Sequence, residues 1–154
     1  MYWREVMTYI LLVFLKSEIE KVVGRLGKVK LSAGYYVYVG SARLNFEHRI
    51  RRHLARKKKL FWHIDYLLSD AKAKVVDVFY VDEVIEHEVA RSLHELGFKV
   101  VENFGSSDCS CPGHLFYVDS NKRFEKVIER IKLSKFRYIE FKKYGTGLKN
   151  PKGI

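Results

Sequence analysis

The chain is 154 residues long, 47% apolar and 14% aromatic, and carries 29 Lys and Arg against 18 Asp and Glu for a formal charge of +11. That length and apolar content suffice for one globular domain whose core needs neither metals nor disulfides. No run approaches the roughly 18 apolar residues of a spanning helix, and Met1 to Glu5 lacks the basic-then-apolar order of a signal peptide, so the expected location is the cytoplasm.

In chain order, Val6 to Lys16 is rich in Ile, Leu, Val, Tyr and Phe without a breaker, which predicts a strand buried on both faces. Ile19 to Ser32, punctuated by Gly24 and Gly27, predicts a hairpin. Gly34 to Gly40 is a β-forming run whose period of two puts Tyr36, Tyr38 and Gly40 on one face and Tyr35, Val37 and Val39 on the other. Asn45 is placed to cap a helix over Phe46 to Arg56 in which Phe46, Ile50 and Leu54 face inward and Arg49, Arg52, His53 and Arg56 lie on other faces.

Leu60 to Leu68 predicts a short buried helix, with a strand as the alternative, and Val75 to Val81 a strand. Val84 to Leu96 predicts a helix with Ile85, Val89, Leu93 and Leu96 inward, stopped by Gly97. Lys99 to Phe104 then reads as a strand, Gly105 to Gly113 as a loop, Leu115 to Val118 as a strand, and Asn121 to about Leu133 as a helix. The expected architecture is α+β: a small, mostly antiparallel sheet flanked by helices over 1–133, followed by a basic C-terminal extension over 134–154. From Asn121 onward, 11 Lys and Arg against 3 Glu give a net of +8.

An excess of positive charge this large is relieved by a polyanion, and nucleic acid is the expected partner. The competing reading is a solvated basic surface of a thermophile, which the absence of Gln and the many Lys and Glu fit. Distribution favours nucleic acid: between Arg43 and Lys59 there are eight basic residues and one acid, Glu47, with Phe61 and Trp62 following. Arg43, Arg51, Arg52, Arg56, Lys57, Lys58 and Lys59 form the candidate backbone-binding surface, with the aromatics available to stack on unpaired bases.

Tyr38-Val39-Gly40, followed by Arg49 and then His53, resembles the second half of the GIY-YIG nuclease signature, a tyrosine-bearing strand running into a helix that carries an arginine. Together with Trp62-His63-Ile64-Asp65-Tyr66 and Ser107-Asp108-Cys109-Ser110-Cys111-Pro112-Gly113-His114-Leu115, it resembles a largely archaeal branch of that superfamily, some members of which are fused to a helix-hairpin-helix DNA glycosylase. The resemblance implies a metal-dependent endonuclease acting on DNA or RNA in repair or nucleic-acid processing, with a repair protein as a further partner. It implies Tyr9 and Tyr38 as the two motif tyrosines, Arg49 as the helix arginine, His53 one turn on, and Glu88 as the ligand of Mg²⁺ or Mn²⁺. Tyr9 and Tyr38 lie 29 residues apart, which requires Ile19 to Ser32 to be an inserted hairpin. The alternative is a catalytically silent nucleic-acid-binding module.

Those residue types suit phosphodiester hydrolysis. A tyrosine near a metal and an arginine can have its pKa lowered enough to serve as a base, and an arginine can hold phosphate bidentately. One carboxylate is enough for Mg²⁺, which keeps several waters. Each also has an ordinary reading: strand aromatics in a core, a phosphate-positioning cation, and a surface glutamate, with Glu86 a close rival to Glu88. Cys109, Cys111 and His114 read first as a hydrogen-bonded loop with buried thiols, and second as a Zn²⁺ site completed by His63 or Asp65; a disulfide ranks last. His63 and Asp65 serve equally as helix residues that hydrogen-bond this loop.

Overall fold

The structure, a computed structural model, describes residues 7–43, 45–106 and 110–131, and the backbone of 134–136. The strand expected from Val6 to Lys16 is β1 (Met7–Leu15), and every residue of it except Leu12 and Phe14 is buried. That two-sided burial is why its sequence is nearly continuous in apolar residues. β1 lies in the middle of the sheet, antiparallel to β4 (Gly34–Ala42) on one side and to β5 (Ala73–Val81) on the other. Beyond β4 come β7 (Leu115–Val118) and the two-residue β6 (Lys99–Val100), and beyond β5 comes β8 (Ser134–Phe136). Every pairing is antiparallel. The fold is thus α+β, a central antiparallel sheet flanked by helices.

One face of the sheet, with Tyr9, Leu11, Val13 and Tyr36, is covered by α1 (Phe46–Leu54) and α2 (His63–Leu68). The hairpin β2 (Ile19–Val23) and β3 (Gly27–Leu31) joins the same core through Ile19, Val23 and Leu31. The other face, with Ile10, Val37, Val39 and Phe116, is covered by α3 (Glu86–Glu95) and α4 (Asn121–Ile131). Burying Phe46 and Ile50 of α1 completely contributes about 1.5–3 kcal/mol each. No helix among the described residues is long and apolar enough to cross a membrane.

Several expectations need correction. Asn45 does not cap α1 with its side chain; it sits in the left-handed region at φ 54°, which Asn tolerates, and only its carbonyl enters the helix by accepting from Arg49 N. His53 is buried rather than set on an outer face, because α1 is covered by α2 as well as by the sheet. The strand expected to reach Phe104 stops at Val100. Residues 102–105 turn instead, with Asn103 at φ 62° and Gly105 at φ 72°. Leu96 is exposed, and α2 starts only at His63, leaving Leu60 and Phe61 in solvent. Ser134–Phe136, assigned to the basic extension, pairs with β5 through Val78, Phe79 and Tyr80. Residues 137–154 lie outside the described residues.

Candidate active site

At one end of the sheet, β1 and β4 place Tyr9 opposite Gly40. A side chain at residue 40 would begin 2.6 Å from both Cζ and Oη of Tyr9, so glycine there is what lets the tyrosine ring lie flat across the neighbouring strand. Tyr38, two residues back on β4, shares that face and is half-buried. From α1, His53 and Arg49, four residues apart and so on one side of the helix, reach down to the same place. His53 Nε2 stands 2.7 Å from Tyr9 Oη, and the His53 ring lies 5.5 Å from that of Tyr9 and 6.3 Å from that of Tyr38. Arg49 Nη1 donates to the Ser41 carbonyl at 2.9 Å.

The carboxylate of this site is Glu86, not Glu88. Val89, Ala90 and Leu93 form the inward stripe of α3, and the helical repeat carries that stripe back to Glu86 while leaving Glu88 in solvent. Glu86 Oε1 accepts from Ser41 Oγ at 2.8 Å, and Oε2 lies 3.2 Å from Nδ1 of the buried His114. Thr8, next to Tyr9, sets where α3 begins: its Oγ1 donates to the Glu83 carbonyl at 2.6 Å and accepts from Ile85 N at 2.9 Å. The sequence therefore ties Tyr9 and Glu86 together through a buried threonine. Four of the expected residues, Tyr9, Tyr38, Arg49 and His53, converge, Glu88 does not, and Glu86 takes its place.

Burial dominates the proton chemistry. It pushes the Tyr9 hydroxyl up to about 12, although the Arg49 guanidinium beside it pulls the other way. Tyr38 is likewise raised well above its ordinary value by desolvation, with Tyr9 and Glu86 adding to the effect. Arg49 by itself does not offset the loss of water at either tyrosine. Burial also lowers His53 to about 3, assisted by the Lys58 charge, so the imidazole is neutral at pH 7. Burial alone would raise Glu86, but hydrogen bonds from His114 and Ser41 hold it below the ordinary glutamate value, so it is ionised.

His53 Nδ1 is buried with no hydrogen-bond partner. A bare lone pair is tolerated better than a bare N–H, which puts the imidazole proton on Nε2, donating to Tyr9 Oη. The Tyr9 oxygen then receives His53 on one side with the Arg49 charge close by, and its own proton is directed elsewhere.

The basic surface divides into cations held by the fold and cations left in solvent. Arg52 makes a two-pronged bond to the buried Asp65 at 2.7 and 2.8 Å and donates to the Lys59 carbonyl. Lys58 Nζ donates to the His53 carbonyl at 2.9 Å, and burial lowers its pKa to about 8. Arg56 caps the carbonyls of Asp70 and Ala73. Arg51 is half-buried, and Arg43, Lys57 and Lys59 are exposed. Phe61 is 75% exposed and lies edge-on to Trp62 at 5.5 Å. Trp62 is contacted by two guanidinium groups, those of Arg49 and Arg52, each 4.4 Å from its ring centre, and so links the basic surface to the site. Its position beside the helix arginines was not readable from spacing.

Among the described residues, His63 and Asp65 do not group with Cys111 and His114 as donors for a metal. His63 Nδ1 accepts from Gly105 N at 2.8 Å, so it does tie α2 to the start of that loop. Asp65 instead turns back on its own helix, accepting from the N–H groups of Phe61 and Trp62. Cys111 and His114 approach His87, a residue that sequence reasoning missed; Cys109 lies outside the described residues.

A family model described as "Domain of unknown function DUF123" matches residues 8–136. The searches of curated proteins and of solved structures returned no significant match.

Proposed function

The chain belongs to the DUF123 family, and from the chemistry of its site we propose that it is a metal-dependent endonuclease of GIY-YIG type, hydrolysing phosphodiester bonds in DNA or RNA during repair or nucleic-acid processing. The observation that carries this reading is the convergence of Tyr9, Tyr38, Arg49, His53 and the ionised Glu86 at one end of the sheet, beneath a basic helix. The motif resemblance supplies four of those five residues, and the fifth is an acid two positions from the one it implied.

In this account Arg49 binds a phosphate oxygen and offsets the charge that grows in the transition state. Tyr9, its oxygen held by His53 Nε2–H beside Arg49, would act as base in its ionised form: its own proton passes to solvent as substrate binds, the donors around its oxygen favour the phenolate against burial, and the phenolate then accepts a proton from the attacking water. Tyr38 donates a hydrogen bond to the reacting group. Glu86 is the residue suited to Mg²⁺ or Mn²⁺: ionised, part-exposed, and the sole carboxylate within this residue set, which fits an ion that keeps most of its waters. Such an ion, when bound, supplies charge neutralisation on the non-bridging oxygens. Arg43, Lys57 and Lys59 attract the backbone, and Phe61 offers a stacking face to an unpaired base.

A second reading, a binding module without cleavage, is favoured by one observation: neither tyrosine nor His53 has a resting pKa suited to proton transfer near pH 7. Incubating the protein with branched, single-stranded and duplex DNA and RNA, with Mg²⁺, Mn²⁺ or EDTA, and measuring binding at two salt concentrations separates the two. Metal-dependent cleavage supports the nuclease. Salt-sensitive binding with no cleavage of any substrate moves the assignment to the binding module.

A further inference from the structure

A second cluster of chemistry-bearing side chains stands beside the first and is used by none of the steps above. His87 follows Glu86 in the first turn of α3, and Cys111 and His114 come from the loop that leads into β7. One donor atom from each of the three lies within 4.8 Å of the others, and the rings of His87 and His114 stand 5.8 Å apart, edge to face. The set mixes exposed, half-buried and buried residues, so it is open to solution on the His87 side and anchored in the core on the His114 side.

We propose that His87, Cys111 and His114 form a Zn²⁺ site that clasps the start of α3 to the loop before β7 and thereby fixes Glu86. Four lines of chemistry converge. Two imidazoles and a thiol are the donors that zinc takes in preference to Mg²⁺ or Ca²⁺. Ligands at zinc's bond lengths in a tetrahedral site sit about 3.3–3.8 Å from one another, so an upper separation of 4.8 Å closes with movement of about 1 Å. His114 Nδ1 lies 3.1 Å from the Val39 carbonyl and 3.2 Å from Glu86 Oε2, two acceptors that put its proton on Nδ1, so Nε2 is the nitrogen by which the ring would ligate a metal. A carboxylate hydrogen-bonded to the far nitrogen of a ligating histidine is the usual second partner of a zinc histidine, raising its basicity and fixing its ring.

The consequence is a division of labour in which Glu86 faces two sites. Its Oε2 orients His114 for zinc, and its Oε1, held by Ser41, belongs to the tyrosine–arginine site. Binding of zinc does not depend on the nuclease reading, and its test is read without any cleavage assay.

Full-length protein is stripped with a chelator, titrated with Zn²⁺ in competition with a chromophoric chelator, and analysed for bound metal by mass spectrometry; the same titration is run on Cys111→Ser, His87→Ala and Glu86→Gln. The expected result is one zinc per chain, an affinity at least 100-fold lower in Cys111→Ser and His87→Ala, and about tenfold lower in Glu86→Gln. Co²⁺ in the wild type supplies a check that needs no variant to fold: a sulfur-to-cobalt charge-transfer band with the intense visible bands of a tetrahedral ion is expected. Absence of that band, substoichiometric zinc in the wild type, or equal affinity in folded Cys111→Ser and wild type overturns the proposal.

Discussion

Replacing Asp65 by asparagine tests how the basic surface is held to the site. Asp65 is wholly buried and meets four donors: both prongs of Arg52, at 2.7 and 2.8 Å, and the N–H groups of Phe61 and Trp62, at 2.9 and 2.8 Å. Breaking a buried ion pair from one side costs about 3–5 kcal/mol. Arg52 keeps a quarter of its side chain in water, so it recovers hydration and the cost falls to the lower end. The asparagine oxygen still accepts from one or two of the donors, which offsets about 1 kcal/mol. The expected loss is therefore about 2–3 kcal/mol, a fall of about 1–1.5 M in the urea midpoint for a slope of about 2 kcal/mol per M. The pH dependence follows from the same geometry. Burial would raise Asp65, but the Arg52 bond and the two backbone N–H groups hold it below its ordinary value of 3.8. A depressed carboxylate contributes stability above its unfolded value and loses it as pH falls through the lowered folded value. The wild-type advantage over Asp65→Asn should then be complete at pH 6 and fade only below about 3.8. A midpoint shift under about 0.3 M at pH 7, which at that slope is less than about 0.6 kcal/mol, or an advantage that persists unchanged to pH 2, refutes the reasoning.

Three other outcomes follow from the same structure. Gly40→Ala sets a methyl 2.6 Å from the Tyr9 ring and should destabilise the fold by about 1–3 kcal/mol in chemical denaturation; a midpoint unchanged from wild type contradicts the packing. His53, lowered from 6.5 to about 3 by burial, is neutral in the fold while the unfolded chain takes up a proton. Wild-type stability should accordingly fall as pH drops from 6.5 toward 3, by up to about 1.4 kcal/mol per pH unit, and His53→Gln should flatten that slope; equal slopes refute it. Reversing the two exposed lysines in Lys57→Glu/Lys59→Glu should weaken nucleic-acid binding and lower the salt slope by about two phosphate contacts or more, measured by fluorescence anisotropy. An unchanged slope would move the interface elsewhere.

The sheet was legible because β1, β4 and β5 are long and apolar and the glycines around the hairpin mark its turns. The two faces of β4 came out of a period of two, and the observed cores divide Tyr36 from Val37 and Val39 accordingly. Local signals failed where tertiary contact overrides them. The segment after Val100 is apolar enough for a strand but turns, since Asn103 and Gly105 adopt positive φ and Phe104 N donates back to the Val101 carbonyl. Within the site, Tyr9, Tyr38 and Arg49 were readable as a motif, whereas choosing between Glu86 and Glu88 needed the inward face of α3. Val89 and Leu93 carried that signal, since a stripe at three- and four-residue spacing leads back to residue 86 and misses 88. The approach of His87 to Cys111 and His114 joins segments more than 20 residues apart in sequence, and no local period encodes it.

The most direct test of the account is cleavage of a branched and a single-stranded substrate, with Mg²⁺ or Mn²⁺, by wild type, Glu86→Gln and Glu88→Gln, each verified as folded. The account predicts metal-dependent cleavage by wild type and Glu88→Gln at similar rates, and a loss of about 100-fold or more in Glu86→Gln, as expected when a single charged group at a reacting centre is removed. Full activity in Glu86→Gln, or no metal-dependent cleavage by wild type on substrates that it binds in a salt-sensitive way, would contradict it.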